Sequence, residues 1–120
     1  MITHVKFVSV PTRDQDRALA FYTDKLGFKL VTDQPFNDTQ RWIELRLGTS
    51  DTRFVLFTMD GGPQPGFSFN GALACDNVDR TYEELKARGV EFESPPRKEP
   101  WGTFAIIKDP DGNTFVLSSR

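Results

Sequence analysis

Hydrophobic and polar positions alternate in short runs, and the period changes from two to about 3.6 and back along the chain. His4 to Val10 predicts a strand in which Val8 and Val10 alternate with Ser9, stopped by Pro11. Asp14 to Leu26 predicts a helix: Ala18, Leu19, Phe21, Tyr22 and Leu26 recur at helical spacing. Asp14 or Asp16 suits the helix start, and Gly27 its stop. Phe28–Thr32, Gln40–Leu47 and Arg53–Met59 read as three strands. In the middle one, Ile43, Leu45 and Leu47 alternate with Trp42, Glu44 and Arg46, so the first set suits a helix-packed face and the second its opposite.

Asp60 to Gly66 (DGGPQPG) is the one clear linker, and the pattern then begins again. Ser68–Cys75 is strand-like, and Asn77–Arg88 is helical through Val78, Tyr82, Leu85 and Ala87, with Gly89 as its stop. Val90–Glu93 is a strand followed by a Pro-rich loop. Thr103–Lys108 and Thr114–Ser118 are joined by Asp109-Pro-Asp-Gly-Asn113, a hairpin-turn sequence. The helix segment from Asp16 echoes that from Asp79 at an offset of 63, with one residue fewer before the second glycine. Phe54-Val55-Leu56 echoes Phe115-Val116-Leu117 at an offset of 61. Each half therefore reads β-α-β-β-β, one module over about residues 1–60, a linker over 61–66 and a second module over about 67–120. Neither half alone can bury both faces of a four-stranded sheet, which is a physical reason for the repeat.

Composition narrows the function. A chain of 120 residues with 38 % hydrophobic and 27 % charged residues is a globular mixture. Fifteen Lys and Arg against seventeen Asp and Glu give a net charge of −2, which invites neither nucleic acid nor an anionic membrane. One Cys excludes an intrachain disulfide, and one His excludes a multi-histidine site. The apolar runs are strand-sized and Met1–Val10 has no signal-like pattern, so a soluble cytoplasmic protein is the expectation.

The chain resembles the vicinal-oxygen-chelate superfamily of glyoxalase I, bleomycin-resistance proteins and extradiol dioxygenases. Asp14, the run Asp16-Arg17-Ala18-Leu19-Ala20-Phe21-Tyr22 and Leu26-Gly27-Phe28 carry the likeness in the first half. Asn77-Val78-Asp79, Leu85, Gly89-Val90 and Lys108 to Asn113 carry it in the second. The resemblance implies an α+β fold of two βαβββ modules, forming a curved eight-stranded sheet cleft with helices on the outer face. It covers isomerases, dioxygenases, transferases and plain binding proteins, so it leaves the chemistry open.

The resemblance also implies four metal-ligand positions, filled in the superfamily's enzymes by His, Gln or Glu. One lies seven residues before Asp14, at Phe7; its repeat is Asn70. The others are the middle residues of the two matching triplets, Val55 and Val116. Three of these side chains have no donor atom, so no metal and no cofactor is expected. His4, three residues before Phe7, falls on the opposite face by strand alternation and reads as solvent-facing.

Other polar and aromatic residues each admit two readings. Glu44 beside Trp42 is a candidate general base with a raised pKa or a partner for a cationic group; otherwise it is ion-paired with Arg41, Arg46 or Arg53. Arg41 and Arg46 either clamp a ligand's carboxylate or phosphate or form a solvated strand edge. Phe7, Trp42 and Trp101 either build an aromatic wall for a flat ligand or pack in the core or a dimer contact. Pro95 to Gly102 is either a stiff loop at a cleft mouth or a plain connection. Cys75 reads as a buried structural thiol, and Asp109–Asn113 as a turn rather than a calcium loop. The expected ligand-binding set is Phe7, Trp42, Glu44, Phe57, Asn70 and Trp101, with Glu44 as the candidate catalytic residue. The expected function is binding of a small, partly aromatic molecule by a homodimer. The competing expectation is a glyoxalase-like lyase, isomerase or dioxygenase-type enzyme using Glu44.

Overall fold

A computed structural model describes residues 1–58 and 70–119. The expected linker over 61–66 and the first residues of the strand expected from Ser68 lie outside them. The chain divides into two compact units, Met1–Ser68 and Phe69–Arg120.

The first unit runs β1 (Phe7–Pro11), α1 (Gln15–Ala20), β2 (Lys29–Pro35), β3 (Arg41–Arg46) and β4 (Arg53–Phe57). Its sheet has the order β1-β4-β3-β2, with β1 and β4 parallel and the other pairs antiparallel. The second unit runs β5 (Asn70–Ala74), α2 (Val78–Ala87), β6 (Glu91–Glu99), β7 (Gly102–Lys108) and β8 (Thr114–Ser119). Its sheet has the equivalent order β5-β8-β7-β6. Phe7 pairs with Arg53 and Asn70 with Thr114, so the two ladders carry the same offsets of 63 and 61 residues as the sequence matches. The α+β class and the two βαβββ modules are thus present.

Local chemistry explains the helix ends. Asp14 caps α1 by accepting from the Arg17 backbone N–H at 3.1 Å, and Asn77 caps α2 by accepting from that of Arg80 at 3.0 Å. Gly27 (φ 79°) and Gly89 (φ 87°) follow the helices in the left-handed conformation that glycine adopts without steric cost. The first helix has one residue more than the second before this stop. After Ala20 it widens into a π-helical turn, Phe21–Lys25, with the Leu26 N–H donating five residues back to the Phe21 carbonyl at 3.2 Å. The wider turn takes up the additional residue.

Each helix packs on one face of its own sheet. In the first unit Val10, Tyr22, Ile43, Leu45 and Leu56 are fully buried. Tyr22 stacks on Phe28 and meets Phe54 edge-on, with ring centroids 5.6 and 5.9 Å apart. In the second, Val78 and Leu85 of α2 are buried, as are Ala105, Ile107, Phe115 and Leu117 of the sheet. Gln15 ties α1 to its sheet. Its side chain donates to the Arg41 and Leu56 carbonyls at 2.8 and 3.1 Å and accepts from the Arg41 N–H at 3.0 Å.

Several boundaries differ from the expectation. β1 begins at Phe7, so His4 precedes the strand, exposed, with its Nδ1 3.1 Å from the Thr3 hydroxyl. β2 continues to Pro35 across a register shift between Leu30 and Thr32. The Pro-rich stretch is mostly strand rather than loop: β6 runs to Glu99. It is an edge strand, and Pro95 and Pro96 fall at a register shift between Ser94 and Arg97, where no ladder donor is needed. The turn after β7 is built as expected. Asp109 accepts from the Asp111 and Asn113 N–H groups at 2.9 and 2.8 Å and from the Asn113 amide at 2.7 Å. Among the described residues, no helix is long and apolar enough to cross a membrane.

Candidate functional site

The candidate site is the helix-free face of the first sheet. Strand alternation and register place Phe7, Ser9 and Pro11 of β1 on it, opposite Arg53, Val55 and Phe57 of β4. Glu44 of β3 lies between Val55 and Thr32, and Trp42 lies opposite Gln34 of β2. Burial agrees, because Ile43 and Leu45 are fully buried on the helix side while Trp42 and Glu44 are only partly so.

Three of the expected site residues come together here. The Trp42 indole N–H donates to Glu44 Oε2 at 2.9 Å. The Phe7 ring meets Trp42 edge-on, with centroids 5.6 Å apart and planes at 87°. β4 runs between β1 and β3, and its Val55, on the same face, is only 1 % exposed. Phe57 is half-buried on this face. The other oxygen of Glu44 accepts from Arg53 Nη1 at 3.4 Å, so the expected arginine pair is present as well.

Phe36, which the sequence reading passed over, adds to the aromatic group. It is 61 % exposed and lies 5.9 Å from Trp42, tilted by 33°. Asn37 accepts from the Thr39 and Gln40 N–H groups, closing a turn that returns the chain beside Phe36, whose own N–H donates to the Gln40 carbonyl. The Asn-Asp-Thr turn sequence was the signal for that placement.

Of the other expected residues, Arg41 is in the first unit and Asn70, Trp101 and Cys75 are in the second. Arg41 is on the helix side, paired with Asp16 at 2.8 Å and Asp33 at 2.9 Å. Hydrogen bonding to Asp33 and Asp16 raises its pKa further. Asn70 is exposed at the start of β5, opposite Thr114. Trp101 lies between β6 and β7 in the second unit, 59 % exposed and stacked on Phe104 at 5.4 Å, with the Arg97 guanidinium 5.8 Å from the Phe104 ring. Within its own unit, its ring partner is Phe104. Cys75 is half-buried; burial pushes its thiol pKa up, opposed by a hydrogen bond with Thr81 and reinforced by Asp76.

The residues at the four positions implied for a metal do not fit one. Phe7, Val55 and Val116 are hydrocarbon, and the Asn70 amide supplies one neutral oxygen. Among the described residues, no three His, Cys, Asp or Glu side chains gather as a metal-holding group.

Comparison with known proteins places this geometry in a family. Residues 2–117 match the Glyoxalase/Bleomycin resistance protein/Dioxygenase superfamily. Uncharacterized protein YetH of Bacillus subtilis is 37 % identical over 98 % of both chains. The crystal structure of TnmS3, an antibiotic binding protein from Streptomyces sp. CB03234, is similar with a TM-score of 0.86 and 38 % identity, over 98 % of this chain and 96 % of that one. A probable chloroplastic lactoylglutathione lyase of Arabidopsis thaliana is 35 % identical over 89 % of this chain and 33 % of that protein. The chain belongs to the glyoxalase/bleomycin resistance protein/dioxygenase superfamily.

Proposed function

We propose that the protein binds a small, flat, partly aromatic molecule on the helix-free face of its first sheet, without a metal. The carrying observation is the held indole. Trp42 is tied through its N–H to Glu44 and braced edge-on by Phe7. An aromatic side chain restrained before binding loses less freedom when a ligand stacks on it. Phe36 and Phe57 extend the apolar area, and Asn70 and Trp101 are candidate ligand contacts of the second unit. The likeness to an antibiotic binding protein at 38 % identity supports binding as the activity.

A second reading keeps Glu44 as a general base in a lyase, isomerase or dioxygenase-type reaction, favoured by the likeness to a probable lactoylglutathione lyase. Against it, both carboxylate oxygens already accept hydrogen bonds, from Trp42 and Arg53. That arrangement suits a residue positioning an indole better than one receiving a substrate proton. Titrating tryptophan fluorescence with planar aromatic compounds tests the binding reading: saturable quenching supports it, and no response across neutral, cationic and anionic compounds rejects it.

We further propose a homodimer located in the cytoplasm. The edge strand β2 exposes Leu30 and Val31, and a single free thiol suits a reducing compartment. Light scattering is expected to give about twice the 13.6 kDa chain mass, as for a two-fold pair. A value of one chain mass at every concentration rejects the dimer.

A further inference from the structure

The register of the first sheet sets three cations side by side. Lys29 of β2 lies directly opposite Arg46 of β3, and Arg46 lies directly opposite Arg53 of β4. All three project to the helix-free face, since the neighbouring pair Leu30 and Leu45 belongs to the helix side. Strands about 4.8 Å apart bring the three positions within about 10 Å of one another. Like charges directly opposite one another on a sheet repel. Of the three, Arg53 pairs with Glu44, at 3.4 Å. Among the described residues, no carboxylate pairs with Arg46 or Lys29, and both are exposed. The strand residues of this face therefore carry three cations and one carboxylate, in a chain whose net charge is −2.

We infer that the Lys29–Arg46–Arg53 row is an oxyanion-binding site, and that the ligand of this face is an aromatic molecule carrying a carboxylate or phosphate. This rests on the aromatic-binding reading and adds the charge of the ligand to it. The row and the aromatic group share one face. Arg46 is four residues from Trp42 along β3, about 13 Å between backbones. The indole N–H of Trp42 is turned towards Glu44, the next residue of this face in the direction of Arg46. Glu44 stands between the two, but Arg53 and the indole N–H already offset its charge. Arg46 supplies a planar fork for a carboxylate or phosphate, and Lys29 a point charge beside it. An anion there offsets the repulsion among the three cations.

The test uses the full chain and three probes: 2-naphthoxyacetate, its neutral analogue 2-naphthoxyacetamide, and 2-naphthyl phosphate. Calorimetry at low ionic strength is expected to show the acid binding about tenfold tighter than the amide, as two exposed charge contacts provide. The preference should shrink as salt is raised to physiological strength. In the double variant Lys29→Gln/Arg46→Gln the acid should fall to the level of the amide, while the amide binds as before. The Arg46 side-chain N–H resonance in ¹⁵N spectra should shift with the acid and not with the amide. Tighter binding of the phosphate, lost in the same variant, would identify phosphate as the preferred oxyanion. Equal binding of acid and amide overturns the oxyanion site and leaves the aromatic face standing. An anion preference that survives in the double variant overturns it too, because the charge would then lie elsewhere. Binding of none of the three overturns both.

Discussion

Trp42 and Glu44 stand two residues apart on β3, and the indole N–H of the first donates to the carboxylate of the second at 2.9 Å. Residues at this spacing share a face of the sheet, so the bond runs along the strand. A carboxylate held by Arg53 fixes the edge of an indole whose ring meets Phe7. The aromatic surface is therefore oriented by a polar network rather than by core packing alone.

Replacing the indole removes the centre of that surface. Trp42→Ala should weaken binding of a planar aromatic ligand by about 1–3 kcal/mol. Because Trp42 is only partly buried, stability should fall by less than the roughly 3–5 kcal/mol expected for a core Trp. Calorimetry and urea unfolding measure the two effects. Unchanged affinity would remove Trp42 from the site.

Glu44→Gln separates binding from catalysis. Both partners of the Glu44–Arg53 pair are partly exposed, so its loss should cost about 0.2–1 kcal/mol of stability. A binding protein should lose affinity only modestly. An enzyme using Glu44 as its base should lose turnover by about a hundredfold or more at little cost in binding. Such a kinetic loss would reject the binding reading.

Chelation tests independence from metal. With hydrocarbon at Phe7, Val55 and Val116, EDTA should leave the melting temperature and aromatic binding unchanged. Stoichiometric zinc, nickel or iron in the purified protein, with loss of binding on its removal, would contradict this.

Cys75 supplies a pH dependence. Burial raises its pKa in the folded chain, so the native state holds the thiol proton more tightly than the unfolded state does. Its contribution is therefore intact below the ordinary thiol range and is lost as pH rises through that range towards the folded value. Alkylation of the native protein should be slower than that of the urea-unfolded chain at the same pH and should accelerate at higher pH. Equal rates would show that Cys75 is not shielded.

Much of this architecture could be read from local spacing. The alternation of Ile43 and Leu45 with Trp42 and Glu44 identifies two faces, because side chains on a strand alternate whatever lies beside it. Gly27 and Gly89 mark the helix stops for an equally local reason, and the offsets of 63 and 61 reappear in the strand ladders. Partners across strands could not be read in the same way. Which of Arg41, Arg46 and Arg53 meets Glu44 depends on strand order and register, set by distant segments. The same register sends Arg41 to Asp16 and Asp33, and a separate hairpin gives Trp101 to Phe104. Residue spacing alone accounts for which face each side chain takes, because the period is local. Which neighbour it finds there is a property of the folded sheets, because strands remote in sequence must pair before those side chains can meet.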